Sequence, residues 1–209
     1  MLFAVLGAIR GHLAALDAVL AEIDHDGILC ILNIGNSVVG YDTPNEVIDR
    51  LRVRGITSVQ GVLDRYAALF SSKESRLRTK CAEDYDAIAE THARLRSANI
   101  EYLLELPRMR RIVLDGLPVA LCHGAPSSHH AALKASDPDP LFRRERERVP
   151  EARIIVCGHG DAPFARCVDD TLFVSAGAVG RVSPECTGGT YAVVSTESEP
   201  WTVTFRGVS

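Results

Sequence analysis

Short apolar runs alternate with amphipathic segments along the first sixty residues. Leu2–Leu6 and Ile28–Ile34 are uninterrupted apolar runs, each followed by a glycine, and this pattern is typical of buried strands. Residues 12–25 carry leucine and isoleucine at helical spacing, and a second helix is predicted to begin at Pro44 with Thr43 as its cap. With a third strand at Ile56–Gln60, the order β-α-β-α-β predicts a largely parallel sheet with right-handed crossovers.

The remainder of the chain is predicted to be helical first and then rich in strands. Helices are expected at residues 64–70 and 82–97, and a short turn at 99–105. Asp115-Gly116 is a strong two-residue hairpin signal between Arg111–Leu114 and Pro118–Cys122. Residues 127–150 look irregular, apart from a solvated helix face at 143–148. Further strands are expected at Ile154–Cys157, Phe164–Val168, Leu172–Ser175, Tyr191–Ser195 and Val203–Phe205, with a turn at Asp169-Asp170.

Composition limits the class of protein. The 209 residues suit a single domain over 1–209, and 46% hydrophobic residues exclude a disordered chain. With 23 basic and 27 acidic residues the net charge is −4, which argues against a nucleic-acid binder that works by bulk charge. No signal peptide or membrane span is expected. Cys30, Cys122 and Cys157 lie in strand-like runs and no pair has C-x-x-C spacing, so we expect reduced, buried thiols and a cytoplasmic protein.

Candidate chemistry is concentrated just after the predicted strands. In open α/β sheets ligands bind outside the carboxyl ends of the strands. Glycine and polar residues follow five of them, at residues 7–12, 35–36, 61–64, 123–126 and 158–161. A lone histidine is usually a hydrogen-bonded structural side chain. His123 and His159 each stand beside a glycine at the ends of successive strands, and the pair therefore indicates a functional site.

The framework of these segments resembles a known family. It consists of the turn at Gly11, residues 39–42 followed by 44–47, Gly61 with Asp64, His123-Gly124-x-Pro126, Gly158-His159 and residues 175–180. This order resembles the calcineurin-like metallophosphoesterases, in particular their small bacterial and archaeal phosphodiesterases, over nearly the whole chain. The resemblance implies an α/β fold, a four-layer α/β/β/α sandwich with two mixed sheets. It also implies two divalent metals at the strand ends, which clamp a phosphate ester and activate a bridging hydroxide.

The metal ligands of that family are mostly replaced here. Its opening D-x-H corresponds to Ala8 and Arg10, and its bridging aspartate to Asn36. Its G-N-H-D motif has become residues 61–64, and its final G-H-x-H has become residues 158–161. His123 and His159 match as ligands. Asp64 also matches, but the family role of that aspartate is to orient a histidine that is missing here.

Two arrangements of the site remain open at this point. In the first, Arg10 occupies the space of the first metal and Asp161 pairs with it, because a guanidinium cannot ligate a cation and a buried one needs an opposite charge. In the second, a single zinc or manganese ion is held by His123, His159 and Asp161, with Asn36 as a weak oxygen donor. The two arrangements compete, because the single carboxylate of Asp161 cannot fully pair with Arg10 and ligate a metal ion at the same time.

Three functions follow from these arrangements. The favoured one is a catalytically impaired protein that binds phosphate or a nucleotide, or acts in regulation, with no cofactor. Its ligand-binding candidates are Arg10, Asn36, Asp64, His123 and His159. The second is an active metal-dependent phosphodiesterase or phosphatase, with His123, His159 and Arg10 as catalytic candidates. The third is a scaffold for a protein partner, which includes a second copy of the chain. Neither a phosphate-binding P-loop, nor a G-x-G-x-x-G dinucleotide motif, nor the nucleophile elbow of a serine hydrolase is present.

Overall fold

The computed structural model describes residues 1–158, 162–180 and 189–207. Ten strands and six helices are found in these segments. Those of the first half are β1 (Leu2–Leu6), α1 (Leu13–His25), β2 (Cys30–Asn33), α2 (Pro44–Val53), β3 (Thr57–Ser58), α3 (Val62–Lys80), α4 (Tyr85–Arg94) and α5 (Ser97–Glu105). Those of the second half are β4 (Met109–Leu114), β5 (Leu117–Cys122), α6 (Asp139–Arg146), β6 (Ile154–Val156), β7 (Phe164–Val168), β8 (Thr171–Ser175), β9 (Thr190–Ser195) and β10 (Thr202–Gly207).

The strands form two mixed five-stranded sheets, which confirms the predicted fold. The first sheet has the order β10-β9-β1-β2-β3, with β1, β2 and β3 parallel and β9 antiparallel to both of its neighbours. The second has the order β4-β5-β6-β8-β7, with β5, β6 and β8 parallel and antiparallel strands at both edges. The predicted parallel arrangement of the first three strands is therefore confirmed, whereas antiparallel pairings occur at β9 in the first sheet and at both edges of the second.

The sheets pack face to face, and helices cover their outer faces. Phe3 and Val5 of β1 face the second sheet and pack in a core that includes Val156 and Val174. Ala4 and Leu6 point the other way, into a core with α1. Both faces of β1 are thus buried, which explains why its sequence is an uninterrupted apolar run instead of an alternating one. On the far side, residues of the second sheet pack against Phe142 of α6.

Three helices differ from their predicted extents. The helix α3 continues to Lys80, ten residues beyond its predicted end, and α5 is a nine-residue helix where only a short turn was expected. Positions 71–80 are exposed and polar except for the buried Leu77, so they carry no apolar periodicity from which a helix could be predicted. The helix α6 forms in the segment that was predicted to be mainly irregular.

The predicted solvated face at residues 143–148 is only partly correct. Arg143 is exposed and lies near Asp169, but Glu145 has only 2% of its surface exposed. Its carboxylate accepts hydrogen bonds from the backbone N–H and the hydroxyl of Ser127, at 2.8 and 2.7 Å. A buried carboxylate requires such donors, and here they fix the loop after β5 on α6.

Of two local predictions, the hairpin turn at Asp115-Gly116 is confirmed, and the helix cap at Thr43 is confirmed only in its position. Asp115 and Gly116 both have positive φ, 51° and 78°, as a type I′ hairpin requires, which confirms the predicted turn. Thr43 does not cap α2 through its side chain. Its hydroxyl instead accepts the N–H of Leu13 at 3.2 Å and donates to the carbonyl of Gly11 at 2.6 Å, so it ties the start of α1 to the loop before α2.

The cysteines in the described segments are all unpaired with each other. Cys122 and Cys157 are buried, whereas Cys30 is half-buried. Burial raises the pKa of Cys157 to about 12, so this thiol stays protonated and behaves as a small apolar side chain. Among the helices that the structure describes, none combines the length and the apolar character needed to cross a membrane.

Candidate functional site

The loops after β1 and β2 run side by side at the carboxyl end of the first sheet. The N–H of Ala8 donates to the carbonyl of Gly35 at 3.1 Å, and that of Arg10 donates to the carbonyl of Asn36 at 3.0 Å. Ala8, Arg10 and Asn36 all have positive φ, at 43°, 59° and 54°. Such backbone strain costs roughly 1–3 kcal/mol per residue and is concentrated at functional sites in proteins generally. The three residues that replace family metal ligands therefore lie together in a strained backbone arrangement.

The side chain of Arg10 enters this edge between two close backbone segments. A Cβ atom on Gly40 would lie 3.1 Å from the Cβ of Arg10, and one on Gly180 would lie 3.0 Å from it. Both distances are tighter than ordinary contacts, so the absence of side chains at these glycines makes room for the arginine. Arg10 itself is half-buried. The structure thus places a permanent cation among the strand-end loops.

Asn36 caps helix α3. Its Oδ1 accepts the N–H of Leu63 at 3.0 Å, and the residue is only 8% exposed. An N–H at the start of a helix needs such an acceptor. With one lone pair of Oδ1 used in this way, the amide can still meet an anion through its Nδ2 donor, or a metal ion weakly through the second lone pair of Oδ1.

Asp64 joins the loop after β2 to the start of α3. Its Oδ1 accepts the N–H groups of Ser37 and Val38 at 2.7 and 3.1 Å, and its Oδ2 accepts that of Gly61 at 3.0 Å. Burial raises the pKa of this carboxyl to about 6, and the hydrogen bonds from the backbone oppose the rise. The contacts given for Asp64 are structural ones, and its predicted part in ligand binding stays a prediction.

His123 is oriented by the neighbouring sheet. Its Nδ1 lies 2.6 Å from the carbonyl of Ile34, and since a carbonyl only accepts, Nδ1 carries the proton. Nε2 of the neutral ring then holds a lone pair. A backbone carbonyl that fixes the tautomer of a histidine in this way is typical of metal-binding and proton-accepting histidines. The ring is almost fully buried, at 2% exposure.

His129 was not among the predicted site residues, although the structure places it beside His123. The two ring centres are 5.3 Å apart with an edge-to-face orientation, and Nε2 of His129 lies 2.6 Å from the carbonyl of Gln60. The loop after β5 folds back on itself here, because a Cβ on Gly124 would lie 2.4 Å from the carbonyl oxygen of Ser128. The tandem His129-His130 was visible in the sequence, but only this fold-back brings it to the site.

A dinuclear metal centre does not fit the residues described. Ala8 has no donor atom, Arg10 is cationic, and the side chain of Val62, at the position of a family asparagine, is apolar. Within residues 1–158, 162–180 and 189–207, no group of three or more His, Cys, Asp or Glu side chains is placed to hold a metal ion. His159 and Asp161 lie outside the described residues. The Arg10–Asp161 pair and the single-metal site therefore both stay predictions.

Comparison with known proteins decides the family. A family model for the calcineurin-like phosphoesterase superfamily domain matches residues 1–199. The chain belongs to this superfamily. The sequence is also similar to an uncharacterised protein of Methanocaldococcus jannaschii, with 29% identity over 181 residues that cover 85% of this chain and 70% of the relative.

Two solved structures share the fold. A hypothetical protein of Pyrococcus horikoshii superposes with a TM-score of 0.81 at 21% identity, over 100% of this chain and 88% of its own. A metallophosphoesterase of Sphaerobacter thermophilus superposes with a TM-score of 0.72 at 22% identity, over 100% of this chain and 89% of its own. At these identities the likeness shows the fold alone. The chemistry has to be argued from the residues of this chain.

Proposed function

We propose that this calcineurin-like phosphoesterase binds a phosphate-bearing small molecule, phosphate or a nucleotide, at its strand ends and lacks two-metal hydrolysis. The observation that carries the proposal is the replacement of the first-metal ligands by Ala8, Arg10 and Asn36 on an otherwise intact strand-end backbone. The fold supplies the place for a phosphate group, and we infer that side-chain donors bind the group there in place of metal ions.

The donors at this edge suit an anion. A guanidinium offers several N–H donors in a fixed plane and recognises phosphate through paired hydrogen bonds. Asn36 adds an amide donor, its Nδ2 group, while its Oδ1 accepts the N–H of Leu63. Hydrolysis by two metals needs a bridging carboxylate and ligands that lower the pKa of bound water, and Ala8, Arg10 and Asn36 supply no carboxylate and no strong metal ligand. A protein with these properties would act by binding, in a regulatory role.

The second candidate, an active phosphodiesterase or phosphatase with one metal ion, is favoured by one observation. The carbonyl of Ile34 fixes the proton of His123 on Nδ1, which leaves Nε2 in the form that a zinc or manganese ion needs. His159, Asp161 and Asn36 would complete such a site. An ion held there would polarise a phosphate ester and activate water.

The two candidates differ in metal content and turnover. For protein purified without chelator, we expect substoichiometric divalent metal by elemental analysis and no hydrolysis of an aryl phosphodiester above the buffer rate in added Mn²⁺, because the first-metal ligands are absent. Metal-dependent turnover that disappears in His123→Ala but survives in the surface control Arg94→Gln would overturn the proposal in favour of the one-metal enzyme.

The binding part of the proposal depends on Arg10. Replacing a guanidinium that contacts phosphate removes a charge-assisted hydrogen bond of about 1.5–3 kcal/mol, so Arg10→Gln should weaken phosphate or AMP binding by about tenfold or more. Isothermal titration calorimetry in EDTA measures this, with Arg94→Gln as the control and circular dichroism as the check on folding. Equal affinity for the two variants, or no phosphate binding by the native protein, would exclude an anion site at Arg10.

A further inference from the structure

Helix α3 bends so that its two halves face each other. The Nζ of Lys80 lies 5.7 Å from the centre of the Tyr66 ring, although fourteen residues of straight helix would separate them by about 21 Å, further than the side chains can bridge. Two serines occupy the middle of the helix, and the hydroxyl of Ser72 donates to the carbonyl of Leu69 at 3.0 Å. Serine pairs that bond to the preceding turn bend helices.

A cleft of about 250 Å³ lies between the two halves. Each half lines it with residues at the i, i+3, i+4 and i+7 positions of one helix face, beginning at Val62 in the first half and at Lys73 in the second. Arg108, which follows α5, and the His129-His130 pair complete the wall. His129 is also the neighbour of His123, so the cleft opens next to the strand-end site.

The lining of this cleft is rich in basic side chains. It contains no aspartate or glutamate, and its basic residues are Arg65, Lys73, Arg76, Lys80 and Arg108 together with the two histidines. In the described part of the chain, none of these five Lys and Arg side chains forms a salt bridge. Arg65 reaches the side-chain oxygen of Gln60, at 3.4 Å, and Lys80 lies over Tyr66.

Other arginines of this protein are neutralised locally. On α6, Arg143 and Arg146 face Asp169 and Asp170 at 3.1 and 2.6 Å, and on α3 itself Arg78 turns to Glu74 at 3.3 Å. Like charges that converge without partners repel each other and destabilise the folded state. In a chain whose net charge is −4, five unneutralised cations around one cleft therefore indicate an anionic ligand.

We propose that the cleft binds the di- or triphosphate group of a small molecule, either a nucleoside polyphosphate or an inorganic polyphosphate. Several cations arranged around a small volume match several adjacent phosphates better than one. Tyr66 and His130, whose ring centres are 6.3 Å apart, offer aromatic surface on which a nucleoside base can stack. A cleft of this size at the low end of ligand pockets, on an acidic protein, favours a small molecule over a nucleic-acid strand.

This inference goes beyond the proposed function and can fail separately from it. Four of the five cations lie on α3 and the fifth, Arg108, follows α5, so none of them belongs to the strand-end loops that carry Arg10 and Asn36. The test is calorimetric titration in EDTA, at low salt, with ADP, ATP, pyrophosphate and tripolyphosphate as probes and AMP as the monophosphate reference. EDTA keeps metal-mediated binding at the strand ends out of the measurement. ADP that binds more tightly than pyrophosphate identifies a nucleotide ligand, whereas equal affinities identify the phosphate chain alone.

The test and control variants lie on the same exposed part of α3, where Lys73 and Arg76 line the cleft and Arg78 follows two residues after Arg76. The double variant Lys73→Gln/Arg76→Gln should weaken ADP or pyrophosphate binding by about tenfold or more, because two phosphate contacts are lost. Arg78→Gln, which faces Glu74 and Tyr85, should change the affinity by less than about twofold, since a charge outside the cleft acts only through screened, longer-range attraction. Glutamine keeps the helix propensity of all three positions.

Three results would overturn the proposal. One is the absence of saturable binding to any of the four polyphosphate probes. Another is an equal loss of affinity in Arg78→Gln, which would mean attraction by bulk charge. The third is tighter binding of a single-stranded oligonucleotide than of ATP, with the same dependence on Lys73 and Arg76, which would assign the cleft to nucleic acid.

Discussion

Gly61→Ala is expected to destabilise the folded protein by about 3 kcal/mol, the upper end of the usual cost of overpacking. The φ of Gly61 is −80°, which any residue adopts, so glycine is not required here for its backbone freedom. It is required for space. A Cβ at this position would lie 2.0 Å from the backbone nitrogen of Asn36 and 2.5 Å from its Oδ1. Backbone atoms cannot move aside as a flexible side chain can, and α3 would be pushed away from the loop after β2.

Thermal unfolding followed by circular dichroism measures this effect. For a chain of this length a loss of 3 kcal/mol corresponds to a decrease in Tm of about 10 °C. Gly55→Ala is the control, because Gly55 has a φ of +61° and no atom within 4 Å of an added Cβ. It should lose only about 1 kcal/mol, the cost of a left-handed backbone for alanine. Equal losses in the two variants would show that the close approach of α3 to Asn36 is not essential to the fold.

The second large effect concerns Asp64 and its dependence on pH. In the unfolded chain this carboxyl has its ordinary pKa of 3.8, whereas burial raises its pKa to about 6 in the folded protein. Between these values the folded state holds a proton that the unfolded state has released. The contribution of Asp64 to stability is therefore fully present below pH 4, is lost as the pH rises to about 6, and amounts to roughly 3 kcal/mol.

Asp64→Asn isolates this contribution, because asparagine does not titrate and every other group is shared by the two proteins. The free energy of unfolding in urea, measured for both from pH 3 to pH 8, should show a difference that shrinks by roughly 3 kcal/mol up to about pH 6.5 and is flat above it. At pH 7 the variant should still be less stable by about 1–3 kcal/mol, because its NH₂ group faces the N–H of Gly61, which then lacks an acceptor. A difference that grows with pH would mean that the three backbone donors outweigh burial.

The succession of strands along the chain and much of the helical framework could be predicted because local signals were strong. The apolar runs of β1 and β2, the glycines after them and the Asp115-Gly116 turn all specify local structure through burial and backbone preference. The second half of α3 could not be predicted. Its exposed residues carry no apolar period, and its direction depends on the serine bend and on Leu77, which is buried against the rest of the protein.

The candidate site, like the fold, could be predicted only in part from the sequence. From their order along the chain, residues 8, 10 and 36 were predicted to stand at positions of family metal ligands, since each follows a predicted strand. That Asn36 turns its oxygen to α3 depends on how closely that helix approaches, which no local pattern encodes. The position of His129 depends on a loop that folds back tightly at Gly124. This loop follows β5 of the second sheet and also contains His123, whereas Gln60, whose carbonyl His129 contacts, follows β3 of the first sheet.

By itself the sequence determined the family framework and predicted the loss of first-metal ligands, because both consist of residue types at given distances along the chain. Only the tertiary structure decided which neighbouring side chains and backbone groups those residues contact. Side chains distant in sequence meet only when packing brings them together, and here packing joins two halves of one bent helix with Arg108 and His130 into a cationic cleft. The electrostatic field of a site is a sum over neighbours in space, so an acidic chain contains a basic cleft that its net charge of −4 does not reveal.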